Sequence, residues 1–255
     1  MTGLNRRNEY QSAVSDMVHM DRRGICLRVL TKELLEPRFT QKVRSLLKKC
    51  QLDESNVDLL LDFQTFDPQN PDVKNLLGSI PNLRAWRSLT IASGAFPVDL
   101  QNCEKGSNPI PRHDWLSWKT QFFDETSNQR RASFSDYTIQ YGFYKEPVEH
   151  GNPSASIRYT LEDKWLVMRG EVPRGKIDYE NAERRPAREQ YNAHAQLLCE
   201  DTEILYDQDF SWGDAFIYER SVNREDHGSP EILLRAGINH HMTVVSRQIT
   251  NLAGP

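Results

Sequence analysis

Three short apolar runs in the first part of the chain constrain its fold more than any other feature. They are Ile25-Cys26-Leu27-Arg28-Val29-Leu30, Val57-Asp58-Leu59-Leu60-Leu61-Asp62-Phe63 and Ser88-Leu89-Thr90-Ile91-Ala92. Each has the length of one strand and is nearly continuous in apolar residues, the pattern of strands covered on both faces. Helical spacing fills the gaps. Tyr10, Ala13, Val14, Met17 and Val18 fall on one helical face, as do Phe39, Val43, Leu46 and Leu47. Val73-Lys74-Asn75-Leu76-Leu77 is helix-like and closed by Pro81, and His113 to Phe123 reads as an aromatic-rich helix. This alternation predicts an α/β fold, a mainly parallel sheet with flanking helices. A TIM-barrel-like or partial barrel fits the pattern, and so does an open doubly wound sheet. The first helix is expected over residues 7–20.

The second half changes character. Phe134 to Tyr141, Ser154 to Thr160 and Trp165 to Arg169 are strand-like, and 171–189 is charged and Pro-containing, as in an exposed loop. A helix follows with Tyr191, His194, Ala195, Leu197 and Leu198 on one side. Another is expected from Phe210 to Val222, opened by Ser211 as a cap, and the last is expected to begin near Ile238. No linker forces a boundary, so 1–255 reads as a single α/β domain.

Bulk properties exclude several classes. Hydrophobic residues make up 38% and charged residues 27%, enough apolar content for a packed core. A net charge of -4 argues against nucleic-acid binding driven by bulk electrostatics. No apolar run follows Met1–Arg7 and none elsewhere approaches about eighteen residues, so neither a secretory signal nor a membrane span is expected. Cys26, Cys50, Cys103 and Cys199 are scattered without C-x-x-C spacing, which points to reduced thiols in a cytoplasmic protein. Walker, G-x-G-x-x-G, G-x-S-x-G, H-E-x-x-H and EF-hand patterns do not occur, so no cofactor and no metal is expected.

What does occur is a set of polar residues inside strand-like or apolar runs. Asp136, Arg158 and Arg169 lie in or just past strand-like segments, where ligands of α/β folds collect. A charge in a strand is paired, exposed or functional, because an unpaired buried charge is costly. Asp214, Arg235 and Asn239 join them as ligand-binding candidates. In a helix opening near Ile238, Ile238, Met242, Val245 and Ile249 share one face. His241 then lies at the edge of that face, as a buried polar group or general acid–base. Asn239 would cap the helix, and His240 would point away to the surface. Two histidines so divided do not ligate one ion. His113-Asp114 reads as a helix start, and Arg130-Arg131 and Arg184-Arg185 as exposed basic pairs.

Five motifs occurring in one order carry a resemblance. They are Asn82-Leu83-Arg84-Ala85-Trp86-Arg87-Ser88-Leu89-Thr90, Asp136-Tyr137-Thr138-Ile139-Gln140, Ala155-Ser156-Ile157-Arg158-Tyr159, Phe210-Ser211-Trp212-Gly213-Asp214 and Asn239-His240-His241. Together, from about Gly24 to Ile249, the chain resembles the beta protein family of phages, satellite phages and bacterial mobile or defence loci. The resemblance implies a non-catalytic regulatory or immunity protein of a phage-exclusion locus in the bacterial host cytoplasm. Its partner would be a toxic protein encoded by a neighbouring gene, and a homodimer is left open. It supplies no catalytic residues. Many members of the family are longer, with an extra N-terminal α/β segment; if the family fold is a TIM-type barrel, the chain is expected to hold part of it, with a sheet edge needing cover. The alternative is an enzyme acting on a phosphorylated or nucleic-acid substrate, with Asp136 and His241 as catalytic groups and Arg158, Arg169 and Arg235 lining one pocket.

Overall fold

The computed structural model describes residues 1–66, 76–123, 130–144, 154–171, 185–201, 206–223 and 226–253. Its contacts divide the chain into two compact units, 1–95 with 113–137 and 96–112 with 138–255.

The first unit is built on a five-stranded, wholly parallel sheet. Its strands are β1 (Thr2–Gly3), β2 (Ile25–Leu30), β3 (Val57–Thr65), β4 (Ser88–Gly94) and β6 (Ser133–Ser135), and their order in the sheet follows the chain. The sheet stays open among the described residues, with β1 and β6 as edges of two and three residues. Such short edges offer little template for further pairing. The α/β fold with a parallel sheet is therefore as the sequence predicts, in its open form.

The three apolar runs are these strands, but their burial alternates. Ile25, Leu27 and Val29 are buried, as are Val57, Leu59 and Leu61, while Cys26, Arg28, Leu30, Asp58 and Leu60 are only half-buried. Register pairs Cys26 with Asp58, Arg28 with Leu60 and Leu30 with Asp62. Because side chains alternate at period two, the charges share one face with Leu30 and Leu60, and the buried aliphatic residues take the other. The sheet is thus not equally apolar on both faces, as continuous runs had suggested.

The helices α1 (Asn8–Asp21) and α3 (Phe39–Cys50) pack on each other, with the single turn α2 (Thr31–Leu34) between them in sequence. In α3, Phe39, Val43, Leu46, Leu47 and Cys50 are all buried. Each large side chain there contributes roughly 1.5–3 kcal/mol over an exposed one. Along α1 only Ser15 and Val18 are buried, with Val14 half-buried beside them, whereas Tyr10, Ala13 and Met17 are exposed. Ser15 turns inward because its hydroxyl donates to the Lys49 carbonyl at 2.8 Å. The expected helix over 73–77 falls mostly outside the described residues. His113 to Phe123 begins as α4 (His113–Trp118) and continues as a π-turn, with Trp115, Trp118 and Phe134 in mutual ring contact. Asp114 lies in its first turn and accepts from the Trp115 and Ala95 backbone N–H groups.

The second unit holds an antiparallel sheet with β8 (Lys164–Arg169) between β5 (Gly106–Pro111) and β7 (Ser156–Thr160). The strand β5 contains Pro109 and Pro111, which an edge tolerates because only one side of each residue needs a ladder bond. Its helices are α5 (Arg185–Glu200), α6 (Trp212–Val222) and α7 (Pro230–Ala253). Tyr159, Leu166, Met168, Leu198, Ile217 and Leu233 lie in one buried cluster. The predicted strand over 134–141 shrinks to Ser133–Ser135, since Thr138 takes a positive φ and the chain turns. Most of the expected loop 171–189 lies outside the described residues, as does the Arg184-Arg185 pair, apart from the helical backbone that starts at Arg185. Among the described residues no helix is long and apolar enough to cross a membrane.

Candidate functional site

Two polar motifs of the second half, Phe210–Asp214 and Asn239–His241, meet where α6 crosses α7. The helix α7 begins at Pro230, not near Ile238, so Asn239, His240 and His241 lie in its middle. The face that points inward carries Leu233, Ala236, His240, His241 and Val244; Met242 and Ile249 are exposed. His241 is buried as expected, and His240, expected at the surface, is buried with it. His240 stands about 200° from Met242 around the helix, so exposing Met242 buries His240. Its side chain is 0% exposed.

Each residue of Phe210-Ser211-Trp212-Gly213-Asp214 has a local reason. Ser211, in extended conformation, caps α6 as predicted, its hydroxyl accepting the Asp214 N–H at 3.2 Å. The Gly213 N–H, another donor without a helical partner, is taken by Asn239 Oδ1 at 2.9 Å. Asn239 therefore caps the neighbouring helix and not its own. Gly213 is required by proximity: a Cβ there would sit 2.1 Å from the Ala236 carbonyl oxygen of α7. Gly237 is similarly confined by the Arg158 carbonyl oxygen of β7, 2.6 Å from where its Cβ would be.

Asp214 is fully buried and accepts three hydrogen bonds. Tyr159 Oη donates to Oδ1 at 2.6 Å, while Ser211 Oγ at 2.5 Å and His240 Nδ1 at 2.9 Å reach Oδ2. His240 Nε2 donates to the Thr160 carbonyl at 2.8 Å, and its ring stacks on Tyr159 at 3.9 Å. A carbonyl only accepts, so Nε2 carries a hydrogen, and a second hydrogen must lie between Nδ1 and the carboxylate. Asp214 and His240 thus share one proton as a charge-neutral pair. Burial, reinforced by the Asp214 bond, pushes the Tyr159 phenol far up, so it remains a donor. His241 Nδ1 lies 2.9 Å from Thr160 Oγ1. Two adjacent histidines therefore grip the backbone and the side chain of one strand residue.

The remaining candidates are not gathered around this network. Arg158 Nη1 donates to the Ile139 carbonyl at 2.7 Å, its guanidinium lies over Phe96 at 4.7 Å, and burial lowers its pKa. Arg169 donates to the carbonyls of Cys103 and Gln101. Arg235 is exposed and paired with Glu231 one turn earlier on α7. Asp136 belongs to the first unit, half-buried just past β6. Of the other basic pair, Arg130 spends its guanidinium on the carbonyls of Leu83, Arg84, Trp86 and Arg87, and Arg131 covers the Phe123 ring.

The first unit carries a second polar cluster, missed in the sequence reading although the signal was present: charges inside apolar strands. Arg28 Nε donates to Asp62 Oδ2 at 2.6 Å, and Tyr137 Oη donates to the same oxygen at 2.6 Å. Asp62 Oδ1 accepts the Gln64 N–H at 2.8 Å, where β3 is irregular and Gln64 takes φ 58. Burial first, and then the Asp62 bond, push the Tyr137 phenol up to about 12. Among the described residues no group of three or more His, Cys, Asp or Glu is arranged to hold a metal ion.

A family model described as Beta protein matches residues 1–247 of the chain. No curated protein and no solved structure matches it.

Proposed function

Because the chain belongs to the beta protein family, we propose that it is a non-catalytic regulatory or immunity protein of a phage-exclusion locus. It acts in the bacterial cytoplasm, restraining the toxic product of a neighbouring gene through direct protein contact. The observation that carries this reading is the saturation of the polar motif: Asp214, His240 and Tyr159 are buried and bonded to one another. Arg158 and Arg169 are likewise bonded to backbone carbonyls. A catalytic acid or base must instead reach a substrate proton.

The outer face of α6 supports the contact. Trp212, Tyr218 and Val222 are exposed on this helix, whereas Gly213, Asp214, Ile217 and Arg220 are buried. Exposed aromatics of this kind are enriched in interface cores. Co-expression with the adjacent gene product, followed by co-purification, tests the reading. The wild-type chain is expected to retain that product and suppress its toxicity, and Trp212→Asp or Tyr218→Asp to release it with an unchanged far-UV spectrum. No complex, together with unaltered toxicity, would sink the proposal.

A further inference from the structure

We propose that the carboxyl-end half of the parallel sheet holds a binding site for a small oxyanion-bearing ligand, a phosphate or carboxylate group, recognised by the free edge of Arg28. In open α/β sheets ligands settle beyond the carboxyl ends of the strands. Arg28 lies in the second half of β2, Asp62 beside the irregularity of β3 and Tyr137 two residues past β6.

Two ion pairs on the same sheet differ in a way that singles out Arg28. Arg87 and Asp58, at the amino ends of β4 and β3, form a closed fork: Nε and Nη2 meet the two carboxylate oxygens at 2.9 and 2.6 Å. Arg87 Nη1 is also used, donating to the Arg23 carbonyl at 2.9 Å. Arg28 is held along one edge only. Its Nε and Nη2 converge on the single oxygen Asp62 Oδ2, Nη2 also lies 3.4 Å from Tyr137 Oη, and Nη1 makes no hydrogen bond among the described residues. The Arg28 side chain is 33% exposed, against 3% for Asp62. The guanidinium is therefore oriented from behind and presents N–H donors outward.

The support is rigid. Asp62 has both oxygens occupied, and the elevated Tyr137 phenol keeps its proton, so neither competes with an incoming base. Gly94 leaves room for Tyr137, which would lie 3.2 Å from a Cβ at that position. Gln64, at positive φ, anchors the other carboxylate oxygen; such strained backbone and strand irregularities recur beside functional sites. Paired N–H donors on an arginine edge match two oxygens of a carboxylate or phosphate.

The test follows arginine side-chain N–H resonances of the full chain during titration with inorganic phosphate and, separately, succinate. Saturable shifts at Arg28 with either probe support the proposal and assign the anion class, and shifts with both assign a general oxyanion site. Arg28→Gln is expected to abolish binding, Arg28→Lys to weaken it about tenfold by losing the fork, and Arg87→Gln to leave it intact. Because Arg28→Lys preserves the charge beside Asp62, it keeps the test sound if the glutamine variant fails to fold. Absence of shifts with both probes, equal loss in Arg87→Gln, or binding that persists in a folded Arg28→Gln overturns the proposal. Co-purification with the neighbouring gene product is a separate readout, so the two proposals fail independently.

Discussion

Replacing Asp214 by alanine removes one carboxylate and strands several groups at once. In the native chain it accepts from Tyr159 Oη, Ser211 Oγ and His240 Nδ1, all without contact to water at the carboxylate. Ser211 is only half-buried, so its hydroxyl can turn to water. Tyr159 Oη and His240 Nδ1 have no such recourse, and each buried polar group left unpaired costs about 1–3 kcal/mol. Removing one member of a buried pair costs about 3–5 kcal/mol overall, so a loss of about 4 kcal/mol is expected, close to a thousandfold in the folded population. Asp214→Asn keeps an acceptor for Tyr159 and is expected to lose about half as much. Native-state hydrogen exchange of backbone amides in β7 and α7 measures the effect within the second unit, without assuming that both units unfold together. A loss below about 1 kcal/mol in Asp214→Ala would falsify the view that this network locks the α6–α7 crossing.

Other consequences are equally specific. Gly213→Ala places a Cβ against the Ala236 carbonyl and should cost roughly 1–3 kcal/mol by overpacking; thermal unfolding no different from wild type would refute that reading. The shared-proton assignment places one hydrogen on His240 Nε2 and another between Nδ1 and Asp214, so proton spectra should show a slowly exchanging signal for each, and absence of either argues against it. His194 is buried, neither ring nitrogen makes a full hydrogen bond among the described residues, and burial lowers its pKa from 6.5 despite the nearby Ala155 backbone. The unfolded chain therefore takes up a proton first as pH falls. The stability tied to His194 is present above 6.5, and is lost as pH falls from there through the lower folded value. His194→Leu should flatten that part of the stability–pH curve, and an unchanged slope would exclude His194 as its source.

Much of the fold was legible because periodicity is local. The strands around Leu27, Leu59 and Leu89 and the α3 stripe from Phe39 to Leu47 follow from spacing alone, and the Ser211 cap from residue type. The candidate site was legible only as a motif. Reading α7 from Ile238 hid the turns from Pro230, which carry the buried Leu233 and Ala236. Without them the partly exposed stripe of Met242 and Ile249 passed for the core face, and His240 was sent to the surface. Asn239 at helix mid-length gave no hint of capping a different helix, since that depends on the crossing at Gly213. The strand β5 was overlooked because Pro109 and Pro111 argue against a strand unless it is known to be an edge. Arg28 and Asp62 were visible as charges in apolar runs, but their pairing needed the register between β2 and β3.

Under the proposed function, the Asp214–His240 network locks the fold of a protein that acts by contact and is not a reaction centre. The direct measurement is survival of cells co-expressing the neighbouring toxic gene with Asp214→Asn, His240→Gln and His241→Asn, plotted against the folded fraction of each variant. The expected result is a single curve, with protection retained by every variant that folds. A well-folded His240→Gln or Asp214→Asn chain without protection would contradict the account and return catalysis to this site.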